Sequence, residues 1–246
     1  VRVIEACGPA GAKATIASYR DAGHDIIPRR GPLAALTVPG AVGGWALAQE
    51  FAKALGGKLP AGVLLHDAIE KARGGYSQSK SEARYGHREA ATLYAAPGFA
   101  PTFFVDGKIP PAHGARRNER LGDTLAQLAD AGLADFYRGD VAREIAADLD
   151  RIGAPVVRED LARYQAVLRE PLRLDLPGRM LLNTPPPTVG LISLVTLGLF
   201  ERLGVERAET FDHIHGLVEA SKRALALRER ACLDFDRSSP DPATFL

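Results

Sequence analysis

Three consecutive prolines, Pro185, Pro186 and Pro187, precede the longest near-apolar run in the chain, residues 191–200, and this pairing constrains the fold most. The run carries only Ser193 and Thr196 as polar residues. At ten residues it falls far short of the roughly 20 needed to span a bilayer, so membrane insertion is set aside. It reads instead as a mostly buried helix over residues 190–203, started by the prolines, and the rest of the chain must supply the walls around it. With 246 residues, 46% of them hydrophobic, the chain is long enough to do so as one large domain or two small ones. A single domain over 1–246 is the expectation. Lys and Arg number 31 against 30 Asp and Glu, and this balance argues against a nucleic-acid partner. Cys7 and Cys232 cannot make a disulfide framework and read as two buried thiols, compatible with either a reducing or an oxidising compartment.

Along the chain, residues 1–5 are β-branched and resemble the end of a strand. A helix-compatible stretch follows over 12–22, then a loop over 28–44 punctuated by Pro28, Pro32, Pro39 and several glycines. Trp45, Ala48, Phe51, Ala52 and Leu55 recur at helical spacing, and a second helix is predicted over 63–72 before Gly74-Gly75. Phe103-Phe104-Val105 before Asp106-Gly107 predicts a strand running into a tight turn. Stripes at Leu121, Leu125, Leu128 and at Val141, Ile145, Leu149 predict two helices. A short helix opened by Glu159-Asp160 carries Leu161 and Tyr164; two strands join across Pro177-Gly178; residues 213–230 form a long amphipathic helix. The chain is thus mixed α and β, dominated by helix.

Chemistry is harder to place. His215 and Glu219, four apart on a helix, could share a face as metal ligands, but His213 points elsewhere and no third ligand has a recognisable spacing. A surface or capping role fits better, and no metal is assigned. There is no G-x-S-x-G elbow among Ser18, Ser77, Ser79, Ser81, Ser193, Ser221, Ser238 and Ser239. Gly40-Ala41-Val42-Gly43-Gly44 lacks the Lys-Ser/Thr of a P-loop, and no cofactor is expected. Cys7 beside Gly8 is either an exposed thiol on a turn or simply a small residue where the backbone bends.

Several segments taken together resemble the gamma-glutamyltransferase family. Val38-Pro39-Gly40-Ala41-Val42-Gly43-Gly44-Trp45 is similar to its V-P-G-x-V-x-G segment, with Leu59-Pro60 following. Gly132 with Phe136-Tyr137-Arg138-Gly139-Asp140-Val141-Ala142, Glu159-Asp160-Leu161-Ala162-Arg163-Tyr164, and Pro185-Pro186-Pro187-Thr188-Val189-Gly190 come next in the family's order. Glu219-Ala220-Ser221-Lys222-Arg223-Ala224, then Arg228, close the series. Val-Pro-Gly suits an extended approach followed by a turn. The prolines favour polyproline II backbone lining a cavity. Phe136-Tyr137 reads as an aromatic anchor before a helix stop at Gly139, and Glu219 with Lys222 as a pair on one helix face.

The resemblance implies an α+β fold, the helix-rich large-subunit portion of an N-terminal-nucleophile hydrolase αββα sandwich. It implies a precursor that cleaves itself, so that a Thr at the start of a small subunit attacks an amide carbonyl with its own amine as base. The chain would then be the large subunit or most of it, with the family's first segment upstream and the cleavage site beyond Leu246. Its partners would be the small subunit, across an intimate apolar interface, and a small amide substrate.

One departure bears on the substrate. In the family's R-E-x-A-P-A-x-A-T segment an Arg grips the glutamyl α-carboxylate, a bidentate task suited to a guanidinium. Aligned through Ala12 to Thr15, that position falls on Cys7, with no Arg within four residues. Cys7 is therefore taken as lining an altered acyl pocket, suited to oxamate or another small amide. Arg29 or Arg30, before Val38, either supplies a relocated clamp in an authentic gamma-glutamyltransferase or is simply solvated, and Arg30 is the candidate retained. A catalytically inactive homologue serving as a binding subunit is the remaining reading.

Overall fold

Helix starts follow the side chains that can accept orphan amides. In the computed structural model, which describes residues 1–233 and 241–246, Thr15, Ser79, Asn118 and Thr210 each accept a backbone N–H at a helix start. In chain order the elements are β1 (Val3–Glu5), α1 (Ile16–Asp21), α2 (Ala41–Ala54), α3 (Ala61–Gly74), β2 (Tyr76–Ser77), α4 (Lys80–Leu93), α5 (Phe99–Phe103) and β3 (Ala115–Arg116). They continue with α6 (Glu119–Ala131), α7 (Asp135–Arg138), α8 (Asp140–Arg151), α9 (Arg158–Arg163), β4 (Val167–Arg169), β5 (Leu172–Leu176) and β6 (Arg179–Asn183). The last are α10 (Gly190–Glu201), α11 (Phe211–Leu225) and α12 (Arg228–Ala231), with short 3-10 turns at Pro32–Ala34 and Pro242–Phe245.

The described strands form three antiparallel pairs: β1 with β4, β2 with β3, and β5 with β6. The β5–β6 hairpin turns through Pro177-Gly178, with Gly178 at φ +71°, a backbone conformation that only glycine adopts without strain. The chain divides into two compact units. One comprises Ala6–Ala166; the other comprises Val1–Glu5 with Val167–Leu246.

In the unit Ala6–Ala166 the core gathers Val38, Val42, Leu128, Leu133, Tyr137, Val141, Val156, Leu161 and Tyr164. In the other unit, Leu172 and Leu174 of β5 meet Leu191, Ile192, Leu194 and Val195 of α10, with Ala224 and Ala231. The apolar run after the prolines is thus a buried helix, as its length requires: Leu191 is fully buried and Leu194 nearly so.

Several sequence expectations are corrected. Residues 28–44 are not loop throughout, since α2 begins at Ala41 and takes in Gly43, whose missing side chain admits close packing, and the buried Gly44. The stripe Trp45, Phe51, Leu55 on α2 is exposed, whereas Val42 and Gly44 face the core. Phe103 ends a helix, and only Val105 and Lys108 bridge around the Asp106-Gly107 turn. The segment after Pro185 turns, with Pro186–Pro187 cis, and is not a polyproline II stretch. The long C-terminal helix breaks between α11 and α12. Helix α4 leaves little apolar signal in the sequence because it buries only Ala83, among Glu82, Gly86 and Glu89. Cys7 is exposed and Cys232 half-buried, so the thiols are not both internal.

Candidate active-site segment

Two of the segments singled out by the sequence, the one around Cys7 and the one from Val38 to Trp45, meet in one backbone arrangement. The strand-like segment around Cys7 lies against the approach to α2: Ala10 bridges Thr37, the Val38 N–H donates to the Pro9 carbonyl (3.0 Å), and the Gly11 N–H to that of Leu36 (2.8 Å). The chains approach so closely that a Cβ at Gly8 would fall 1.7 Å from the Val38 oxygen. One at Gly40 would fall 1.9 Å from the Ala6 oxygen and 2.5 Å from the Tyr164 hydroxyl. Gly40 has φ −93°, which any residue adopts, so close approach, and not conformational freedom, demands glycine there.

The far end of the segment is pinned by Asp160. One carboxylate oxygen, Oδ2, accepts from the Ala12 N–H and from the Val157 N–H, each at 2.9 Å, so the acid that starts α9 also fixes the chain entering α1. Tyr137 and Tyr164, buried in the core beneath, reach the same turn. The Tyr137 hydroxyl donates to the Pro39 carbonyl and accepts the Gly43 N–H, both at 2.8 Å. The Tyr164 hydroxyl donates to the Gly40 carbonyl at 3.3 Å. Burial pushes the Tyr137 phenol above its ordinary range, the Gly43 amide partly offsetting it. The anchor role expected of Phe136-Tyr137 is met by Tyr137, and Gly139 ends α7 as expected.

Cys7 is thus exposed on a backbone fixed from both sides. Arg30 is elsewhere engaged: its Nη2 lies 2.6 Å from Glu89 Oε2, with the side chain 43% exposed. The Glu89 carboxyl is held below its usual range, first by the Arg88 hydrogen bond and also by Arg30. Arg29 is exposed. Asp160 starts its helix as expected, but its bond to Ala12 and the reach of the tyrosine hydroxyls leave no local spacing to find, because each partner is more than ninety residues distant.

The His213–His215–Glu219 cluster has other work. The Glu209 N–H donates to His213 Nδ1 (3.3 Å), His215 stacks on Phe211, and Glu219 takes Lys222 Nζ at 2.7 Å and Arg223 Nη1 at 3.0 Å. The Glu219–Lys222 pair is the one expected from their spacing. Among the described residues no group of three or more His, Cys, Asp and Glu side chains could hold a metal ion. Ser238 and Ser239 lie outside the described residues. No described helix is long and apolar enough to cross a membrane.

Comparison with known proteins shows the fold to be a shared one. Residues 1–243 match the sequence profile described as gamma-glutamyltranspeptidase. The chain is 40% identical over 232 residues to the oxamate amidohydrolase proenzyme of Klebsiella pneumoniae, covering 94% of this chain and 44% of that protein. It superposes on cephalosporin acylase from Bacillus halodurans with TM-score 0.88 at 29% identity, over 98% of this chain and 46% of the other. On Helicobacter pylori gamma-glutamyltranspeptidase the TM-score is 0.88 at 26% identity, over 98% and 70% of the two chains. The chain therefore spans less than half the length of that amidohydrolase proenzyme, and its α+β fold is the helix-rich portion of the N-terminal-nucleophile hydrolase architecture these neighbours share. With the profile matched over nearly every residue, the chain belongs to the gamma-glutamyltranspeptidase family.

Proposed function

We propose that residues 1–246 form a single domain, the large-subunit portion of a self-processing amidohydrolase whose acyl pocket takes a compact acyl group such as that of oxamate. The observation that carries this reading is Cys7: exposed, on a closely packed segment, where the family's carboxylate-gripping Arg is expected by alignment. A thiol cannot pair a glutamyl carboxylate bidentately, so that substrate would leave a charge uncompensated. The identity to an oxamate amidohydrolase proenzyme supports the same choice.

In the proposed reaction the Thr of a small subunit attacks the amide carbonyl, and its amine takes the hydroxyl proton. Ammonia leaves with that proton, and water hydrolyses the acyl-enzyme; oxamate would give oxalate and ammonium. The exposed stripe on α2, with Trp45 at 47% and Leu55 at 75% exposure, supports an apolar contact with that subunit.

The test compares turnover of oxamate with that of a gamma-glutamyl anilide by the complete gene product. Preference for oxamate is expected, with Cys7→Arg shifting selectivity towards the anilide. Clear preference of the unmodified enzyme for the anilide would overturn the reading. A second reading keeps gamma-glutamyl transfer and assigns the clamp to Arg30. Its half-exposed guanidinium favours this, but a donor carboxylate would have to displace Glu89. Under that reading Arg30→Ala raises KM for the glutamyl donor; an unchanged KM sinks it. The intact mass of the denatured product separates both from an inactive homologue, which would remain a single unprocessed chain.

A further inference from the structure

We propose that Tyr137 and, secondarily, Tyr164 are positioning residues that set the acyl-pocket wall by capping helix α2 from a distance; the proposal rests on the reading of Cys7 as part of that wall. Helix N-termini leave their first amides without intrahelical partners, and a Ser, Thr, Asp or Asn at the N-cap normally supplies one. The N-cap of α2 is Gly40, which has no side chain to offer. It cannot be exchanged for a capping residue, because the Ala6 oxygen occupies the place of its Cβ. The cap has therefore moved to another part of the sequence.

The Tyr137 hydroxyl takes the third amide of the helix, that of Gly43, while donating to Pro39 just before it. One oxygen thus joins the last extended residue to the first helical turn. Tyr164 adds a longer bond to the Gly40 carbonyl, and its ring centroid lies 5.1 Å from that of Tyr137. Gly43 is glycine for the same reason: a Cβ would lie 2.7 Å from Tyr164 Cε1 and 3.2 Å from the Tyr137 hydroxyl.

The consequence reaches residue 7. Ala6 and Gly8, its two neighbours, rest directly on Gly40 and Val38, so the residue-7 side chain is carried by the turn that the hydroxyls hold. Removing the Tyr137 oxygen leaves the Gly43 amide and Pro39 carbonyl without it while keeping the ring in the core. The turn loosens, and the wall moves with it. Neither tyrosine need touch a reacting atom, so the effect falls on binding more than on turnover.

The experiment uses the complete gene product carrying Tyr137→Phe, Tyr164→Phe or, as control, Leu128→Val, which thins the same core without touching the turn. Steady-state kinetics on oxamate are paired with the rate of Cys7 alkylation by iodoacetamide, read by mass spectrometry on the peptide that carries Cys7. Tyr137→Phe is expected to raise KM about tenfold with kcat changed about threefold or less, and to change the alkylation rate by about threefold or more. Tyr164→Phe should move both in the same direction by less. Leu128→Val should lower the melting temperature and move neither. If both Phe variants only lower the melting temperature, like the control, the positioning role is refuted. Should the unmodified enzyme not hydrolyse oxamate, the proposed function fails, while the alkylation rates still decide the clamp. If Tyr137→Phe does not yield folded enzyme, Tyr164→Phe carries the same decision.

Discussion

The two units hold themselves together by different means. In the unit of β5, β6, α10 and α11, aliphatic side chains do nearly all the packing: Leu172 and Leu174 against Leu191, Ile192, Leu194 and Val195. In the unit Ala6–Ala166, two core positions are tyrosines whose hydroxyls bond to backbone atoms of a glycine-rich turn. An aliphatic core asks for volume and tolerates volume-conserving exchanges, usually at less than about 1.5 kcal/mol. A hydroxyl clamped between a carbonyl and an amide asks for position, and loses its bond within a fraction of an ångström. The unit that carries Cys7 is the one built on position.

The largest effect expected is common to both units and sets the scale. Leu191→Ala and Leu161→Ala each empty a fully buried site and should cost about 2–5 kcal/mol in urea unfolding. The comparison is sharpened by what else changes: the Leu191 variant should leave Cys7 alkylation as it was. A cost below about 1 kcal/mol for Leu191→Ala would mean that α10 is not the core helix of its unit.

Glycine substitutions should separate the units next. Gly40→Ala drives a methyl into the Ala6 oxygen, a backbone atom that cannot move alone, and should cost about 3 kcal/mol. Gly198→Ala in α10 meets side-chain atoms alone, Leu174 at 3.3 Å and the tip of Arg202 at 4.0 Å, and gains helix propensity. It should stay within about 1 kcal/mol of the parent. Equal costs for the two would erase the distinction between positional and volumetric packing.

A smaller effect follows from the Tyr137 phenol, raised by burial from an ordinary value of 10.0. The folded state keeps that proton longer than the unfolded state, so the unfolded chain ionises first as pH rises. Stability is unaffected by this group below pH about 10 and falls above it. Urea midpoints across that range should drop more steeply for the parent than for Tyr137→Phe; parallel curves would show that the phenol does not contribute. Smallest of all, Glu219 is part-exposed at the surface and held below the usual carboxylate range by Lys222, then Arg223. Its contribution is present above pH about 4.5 and lost as pH falls, yet solvent screens it, and Glu219→Gln should leave the midpoint at neutral pH unchanged.

Where packing follows local period, the sequence was legible. The stripe Val141, Ile145, Leu149 became α8, and the two short strands became the β5–β6 hairpin across Pro177-Gly178. Residues 191–200 became a buried helix because no shorter-range alternative hides so many adjacent apolar side chains. Spacing misled where it could not say which stripe faces inward. On α2 the large stripe of Trp45, Phe51 and Leu55 is exposed, while small Gly44 and Val42 lie against the core. Periodicity reports that a helix has an apolar face and is silent on which neighbour covers it.

The candidate site divides in the same way. The order of motifs, read along the chain, was enough to place it in its family, and the Cys7 departure needs only an alignment. That Cys7 is exposed, that Gly40 is forced by the Ala6 carbonyl, and that Tyr137 caps a helix almost a hundred residues away were decided by tertiary structure alone. Local sequence dictates torsions and periodic faces, because those depend on neighbours along the chain. A hydroxyl bridging Pro39 and Gly43 depends on the meeting of segments distant in sequence, and only the folded chain brings them within reach of a hydrogen bond.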